Sequence, residues 1–130
     1  MDTDTVSFAL RGHVGIVGEI SRRKPSELCV SAITVAELRF GADKRRSRKI
    51  RAIIDAFVAG VQVVAFDEAA ATRFGAVAAG LSDAGVPIGQ MDTLIASHSL
   101  SIDATLVTNN TKHFAKVHGL RIENWAARTP

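Results

Sequence analysis

Two periodicities alternate along this chain, and that alternation does most to limit what it can fold into. Short apolar runs, rich in β-branched residues, occupy residues 28–31, 61–66 and 104–108, long enough for strands and too short for helices. Between them the apolar residues take helical spacing. Ile50, Ile53, Ile54, Phe57 and Val58 form an i, i+3, i+4, i+7, i+8 stripe that ends near Gly60. A second helix is expected from Asp67 as N-cap, through Phe74 and Leu81, to the stop at Gly85-Val86-Pro87. A third is expected to begin around Gln90 and to carry Leu94, Ile95 and His98. Strands alternating with helices predict an α/β fold with a mostly parallel central sheet flanked by helices. Ligands in such folds collect at the carboxyl ends of the strands, so functional residues are sought there.

The 130 residues fit one domain spanning 1–130, and no repeat, linker or low-complexity tract divides them. Hydrophobic residues make up 47% and charged residues 22%, a globular balance that excludes a disordered chain. Cys29 is the only cysteine, which rules out an internal disulfide or a cysteine-built zinc site; between Leu28 and Val30 it reads as a small buried hydrophobe. No apolar run approaches membrane-spanning length and the first residues are polar, so a cytoplasmic protein is expected. The net charge of +3 is uneven: seven of the 16 basic side chains fall between positions 39 and 51, with only Asp43 interrupting them. Arg39, Lys44, Arg45, Arg46, Arg48, Lys49 and Arg51 could be a solvated helix face, or a surface that attracts a phosphate backbone.

Four polar positions fall at the ends of strands or loops. Asp2 lies in Asp2-Thr3-Asp4-Thr5, Glu37 follows the strand that ends near Ser31, Asp92 opens a helix after a Pro/Gly loop, and Asn109-Asn110 follow the strand at 104–108. Carboxylates gathered on one sheet edge repel one another by several kcal/mol unless a cation neutralises them. Hard oxygen ligands without His or Cys partners select magnesium or manganese over zinc. Each position also has an ordinary structural use. Thr34 with Glu37 matches a capping box, Asp92 complements a helix dipole, Asn109-Asn110-Thr111 suits a turn, and Asp2 could cap a helix.

The order of these blocks resembles the PIN-domain ribonucleases, and within them the VapC-type toxins of toxin–antitoxin pairs. The resemblance rests on Asp2-Thr3-Asp4-Thr5, on Ser31 to Leu38 leading into Gly41, on Pro87-Ile88-Gly89-Gln90-Met91-Asp92, on Thr108-Asn109-Asn110-Thr111-Lys112-His113-Phe114, and on the closing Gly119 to Trp125. It implies a single PIN-like domain whose parallel sheet gathers Asp2, Glu37, Asp92 and Asn110 as catalytic residues, with Asp2 and Asp92 holding Mg2+ or Mn2+. It implies cleavage of structured RNA, tRNA or rRNA, by metal-activated water. Glu37 would be a ligand or orient the attacking water, Asn110 and Thr108 would bond water or phosphate, and Asp4 would cap the first helix. Lys44, Arg45, Arg46, Arg48 and Lys49 then become the RNA-binding surface. A homodimer and a VapB-like antitoxin are implied as partners.

Two departures stand out. The fourth acidic position is Asn110, a neutral and weaker ligand. Family members usually carry several apolar residues ahead of the first aspartate, whereas only Met1 precedes Asp2, so that strand is expected to be very short or the natural start to lie upstream. Two rival readings remain. Asp2-Thr3-Asp4-Thr5-Val6 also matches the nucleophile motif of haloacid dehalogenase-like phosphatases, although the preceding apolar strand and a paired acid beside Asp92 are missing. The other rival is a basic RNA- or protein-binding module with a decayed metal site.

Overall fold

The computed structural model describes residues 1–127. The chain begins with α1 (Thr3–Leu10) and α2 (Val14–Ser21), then a single 3-10 turn (Pro25–Glu27) that leads into β1 (Cys29–Ser31). After β1 come α3 (Ala32–Lys44), α4 (Arg48–Gly60), β2 (Gln62–Val64), α5 (Glu68–Asp83) and α6 (Gln90–Ser101). The chain closes with β3 (Leu106–Val107), α7 (Thr111–Phe114) and β4 (Ile122–Glu123). The parallel sheet flanked by helices is borne out, in a smaller form than expected. β1 pairs with β2 in parallel, Cys29 opposite Gln62, and β3 pairs with β4 in parallel, Leu106 opposite Ile122. These are two separate two-stranded sheets. The first two residues bridge them: the Met1 amine donates to the Cys29 carbonyl at 3.2 Å and the Asp2 N–H to the Val107 carbonyl at 2.9 Å.

Caps explain where the helices begin. Asp67 is the N-cap of α5, as its position predicts, and accepts a hydrogen bond from the Ala70 N–H. Ser47 does the same for α4 through the Ile50 N–H. The capping box expected of Thr34 and Glu37 does not form. Ser31 caps α3 instead, accepting from the Ile33 N–H at 3.0 Å, so Thr34 is already inside the first turn and fully buried. Strand and cap are one residue here: Ser31 ends β1 and starts α3 with no loop between them.

The core has three parts. Val6, Val30, Leu38 and Ile54 pack beneath α1, α3 and α4, while Leu81, Ile95, Leu106 and Phe114 pack between α5, α6 and the second sheet. Ile16, Val107 and Trp125 form the third cluster. His98, 2% exposed, locks two of the helices that matter later: its Nδ1 lies 2.8 Å from the Ser31 hydroxyl, joining α6 to the cap of α3. Burial first, against opposing influences from Asp67 and the Ala65 carbonyl, holds this imidazole below its usual pKa, so it is neutral in the fold. No helix among the described residues is long and apolar enough to cross a membrane.

Ile54 is 1% exposed in the cluster beneath α4. Ile54→Ala should therefore cost about 2–5 kcal/mol in urea unfolding, the usual range for deleting a buried branched side chain. A loss below about 1 kcal/mol would contradict that packing.

Candidate active site

Asp2 is 4% exposed and engaged on every side. As N-cap of α1 its Oδ1 accepts from the Thr5 N–H at 2.9 Å. Its Oδ2 accepts from the Thr108 hydroxyl at 2.6 Å, across 106 residues of chain. The structural use foreseen for Asp2, capping a helix, is thus observed. Each carboxylate oxygen has two lone pairs, so each keeps one acceptor direction after these bonds.

Glu37 lies in the second turn of α3, where Thr3 donates to its Oε1 at 2.6 Å. Asp92 sits in the first turn of α6, whose N-cap Gly89 takes φ +91°, a conformation open to glycine, and provides no side-chain cap. Its Oδ2 lies 3.1 Å from His113 Nε2, and its side chain is 37% exposed. Burial pushes the Asp92 carboxyl above its ordinary range; His113 opposes the shift, and the negative charges of Asp2, Glu37 and Asp4 add to it. Asp92 is therefore within electrostatic reach of Asp2 and of Glu37, residues carried by elements far apart in sequence.

Among the described residues, no three His, Cys, Asp or Glu side chains converge tightly enough to hold an ion by themselves. Mg2+ does not require that, since it is commonly held by one or two carboxylates and keeps several waters. Carboxylates offering only oxygen suit such a hard cation. Asp2 and Asp92 fit it, with water completing the shell.

Asn110 is exposed at the start of α7, and its own N–H donates to the Thr108 hydroxyl at 3.0 Å. It is thus one hydrogen bond removed from the residue that holds Asp2. Two smaller expectations are corrected. Thr108 cannot reach a phosphate, because it is fully buried and its hydroxyl is spent on Asp2 and Asn110. Asp4 is not the cap of α1; it lies exposed in the first turn, with Asp2 as the cap. Thr3 and His113, which hold Glu37 and Asp92, were not assigned as site residues from the sequence. Their partners lie 34 and 21 positions away, and no local pattern signals such pairs.

The basic run divides in two. Arg39 pairs with Asp55 at 2.5 Å and Arg51 with Asp43 at 2.8 Å, tying α3 to α4. Lys44, Arg45, Arg46, Arg48 and Lys49 are exposed and without an acidic partner among the described residues. Arg45 lies eight residues beyond Glu37, about 12 Å along a helix axis. Both residues line one groove of about 270 Å³, together with Thr3 and Arg11 and an apolar lining that includes Leu38 and Ile54.

Comparison with known proteins places the chain in a family. The PIN domain profile matches residues 2–120. This chain belongs to the PIN-domain family. It is 36% identical over 127 residues to the tRNA(fMet)-specific endonuclease VapC of Shigella flexneri, covering 97% of this chain and 96% of that protein. It is also 35% identical over 127 residues to ribonuclease VapC2 of Haemophilus influenzae, covering 96% of each. Among solved structures it resembles DNA-bound VapBC from Salmonella typhimurium, with a TM-score of 0.89, 34% identity and 95% of both chains covered. A PIN domain from residue 2 onward sets aside the phosphatase reading of Asp2-Thr3-Asp4.

Two outcomes follow for the purified, metal-free protein. Thr108→Val removes the donor to a buried carboxylate and should cost about 1–3 kcal/mol in urea unfolding; an unchanged midpoint would contradict the bond. Because the folded pKa of Asp92 lies above its unfolded value, its contribution to stability is full below the unfolded pKa and lost as pH rises through the folded one. Asp92→Asn should accordingly raise Tm relative to wild type at neutral pH, with the difference shrinking in mild acid. A difference that grows in acid would reverse the assigned sign.

Proposed function

We propose that this chain is the ribonuclease of a toxin–antitoxin pair, cutting structured RNA, tRNA above all, with Mg2+ or Mn2+. The observation that carries this reading is the Asp92 carboxylate held by His113 at the start of α6, with Asp2 and Glu37 near enough to raise its proton affinity. The groove from Glu37 to Arg45 supports the substrate class. The named activity of the Shigella flexneri relative supports tRNA, since similarity runs over nearly the whole of both chains.

Asp2 and Asp92 are the residues that would hold the cation. When bound, it neutralises charge on the scissile phosphate and lowers the pKa of water at the site. Glu37, which Thr3 holds by a hydrogen bond, would orient the attacking water and take its proton. Thr108 keeps Asp2 in its rotamer, and Asn110 offers a neutral amide where a fourth carboxylate would add charge. Lys44, Arg45, Arg46, Arg48 and Lys49 bind the RNA backbone. Arg48 and Lys49 stand in the first turn of α4, where the helix dipole disfavours cations by about 0.3–1 kcal/mol each. Cations retained at such positions suit a surface selected for phosphate rather than for helix stability. The RNA lacks extensive aromatic stacking partners here, with no tyrosine and one tryptophan, so shape and phosphate contacts dominate.

Its partner in this reading is a VapB-like antitoxin, and two copies of the chain associate in the cytoplasm. The VapBC assemblies among its structural relatives support a bound antitoxin. The test is in vitro cleavage of a tRNA pool with end mapping. Discrete cuts bearing 5′ phosphates, dependent on Mg2+ or Mn2+ and reduced at least about 100-fold in Asp92→Asn, are expected. Cleavage that survives a chelator or that substitution would contradict the mechanism. Arg45→Ala with Arg46→Ala should weaken RNA binding and make it less sensitive to salt, the slope falling by roughly one for each phosphate no longer neutralised.

A further inference from the structure

His113 stands inside the site, yet the reaction described above gives it no part. Its Nε2 lies 2.6 Å from the carbonyl oxygen of Ile88 and 3.1 Å from Asp92 Oδ2. A backbone carbonyl only accepts, so Nε2 must carry the hydrogen. One N–H is then shared between the loop that precedes α6 and the carboxylate in its first turn. The same N–H exists whether the ring is neutral or charged.

The ring is well placed to hold a fixed position. It meets Phe114 edge-on, with centroids 5.8 Å apart, and Phe114 is 1% exposed in the core. α6 needs such a hold, because its N-cap is Gly89 with no side chain to bond the first turn. His113 cannot replace that cap, because its Nε2–H donates; it pins instead the Ile88 carbonyl just before the helix and the Asp92 carboxylate in its first turn. It also joins the element that carries Asp92 to the short helix that begins at Asn110.

We propose that His113 is a positioning residue for Asp92: by bonding Oδ2 and the Ile88 carbonyl together, it fixes the carboxylate in the orientation in which it would hold a cation. This rests on the reading of Asp92 as a ligand. Partners behind a metal ligand of this kind typically tune affinity about 10–100-fold.

Mn2+ binding to the purified, metal-free chain, followed by the electron paramagnetic resonance signal of free Mn2+, tests this without reference to activity. His113→Phe keeps a ring against Phe114 and removes the donor; His113→Gln places an amide N–H at about the reach of Nε2. Binding about tenfold weaker or more in H113F, restored to near wild type in H113Q, with Asp92→Asn losing binding, is the expected pattern. Wild-type binding in H113F beside lost binding in D92N would overturn the positioning role alone, as would H113Q as weak as H113F. Wild-type binding in D92N would overturn the ligand reading and the proposal together. Tm measured for each metal-free variant separates a folding defect from lost affinity, because H113Q must rescue the affinity in a folded protein.

Discussion

The buried carboxylate of Asp2 is the joint on which this molecule turns. Its backbone N–H reaches Val107 in β3, one oxygen caps α1, and the other takes the hydroxyl proton of Thr108. The residue before it reaches Cys29 in β1. The start of the chain is thereby held between the two sheets, and the direction of the first helix is set by the group assigned to hold metal. A buried charge is tolerated only where hydrogen bonds replace water, and these bonds do so. One consequence is that replacing Asp2 disturbs the fold, whereas Asp92 is more exposed and outside the core, so its replacement leaves the fold in place.

Several local rules are broken here. Asp92 is held near other negative charges that raise its proton affinity. α6 begins at a glycine without a side-chain cap. Arg48 and Lys49 face the unfavourable end of the α4 dipole. Each costs some stability, and none is needed to bury the core. Conflicts between local preference and observed structure concentrate at functional sites.

Much of the architecture could be read from the chain. Helices over α4, α5 and α6 were legible because a periodic apolar stripe or an N-cap residue marked them, as Ile50 to Val58 and Asp67 do. The parallel pairing followed from alternation alone. A first helix was expected but with Asp4 rather than Asp2 as its cap, while α2 and β4 were not anticipated, β4 being only two residues long. The start of α3 was misplaced because Ser31 serves as both strand end and cap, so no loop residues announce the change. Asp2, Glu37 and Asp92 were legible as candidates from their positions at strand ends. Thr3 and His113 were not, since what places them beside Glu37 and Asp92 is the packing of separate helices.

The central claim is that Asp2 and Asp92 share one divalent cation. Anomalous diffraction from crystals of the chain grown with Mn2+ tests it most directly. The account predicts a single strong peak with oxygens of both carboxylates at about 2.1–2.2 Å and water in the remaining positions. A peak elsewhere, or one touched by neither or only one of the two, would contradict it.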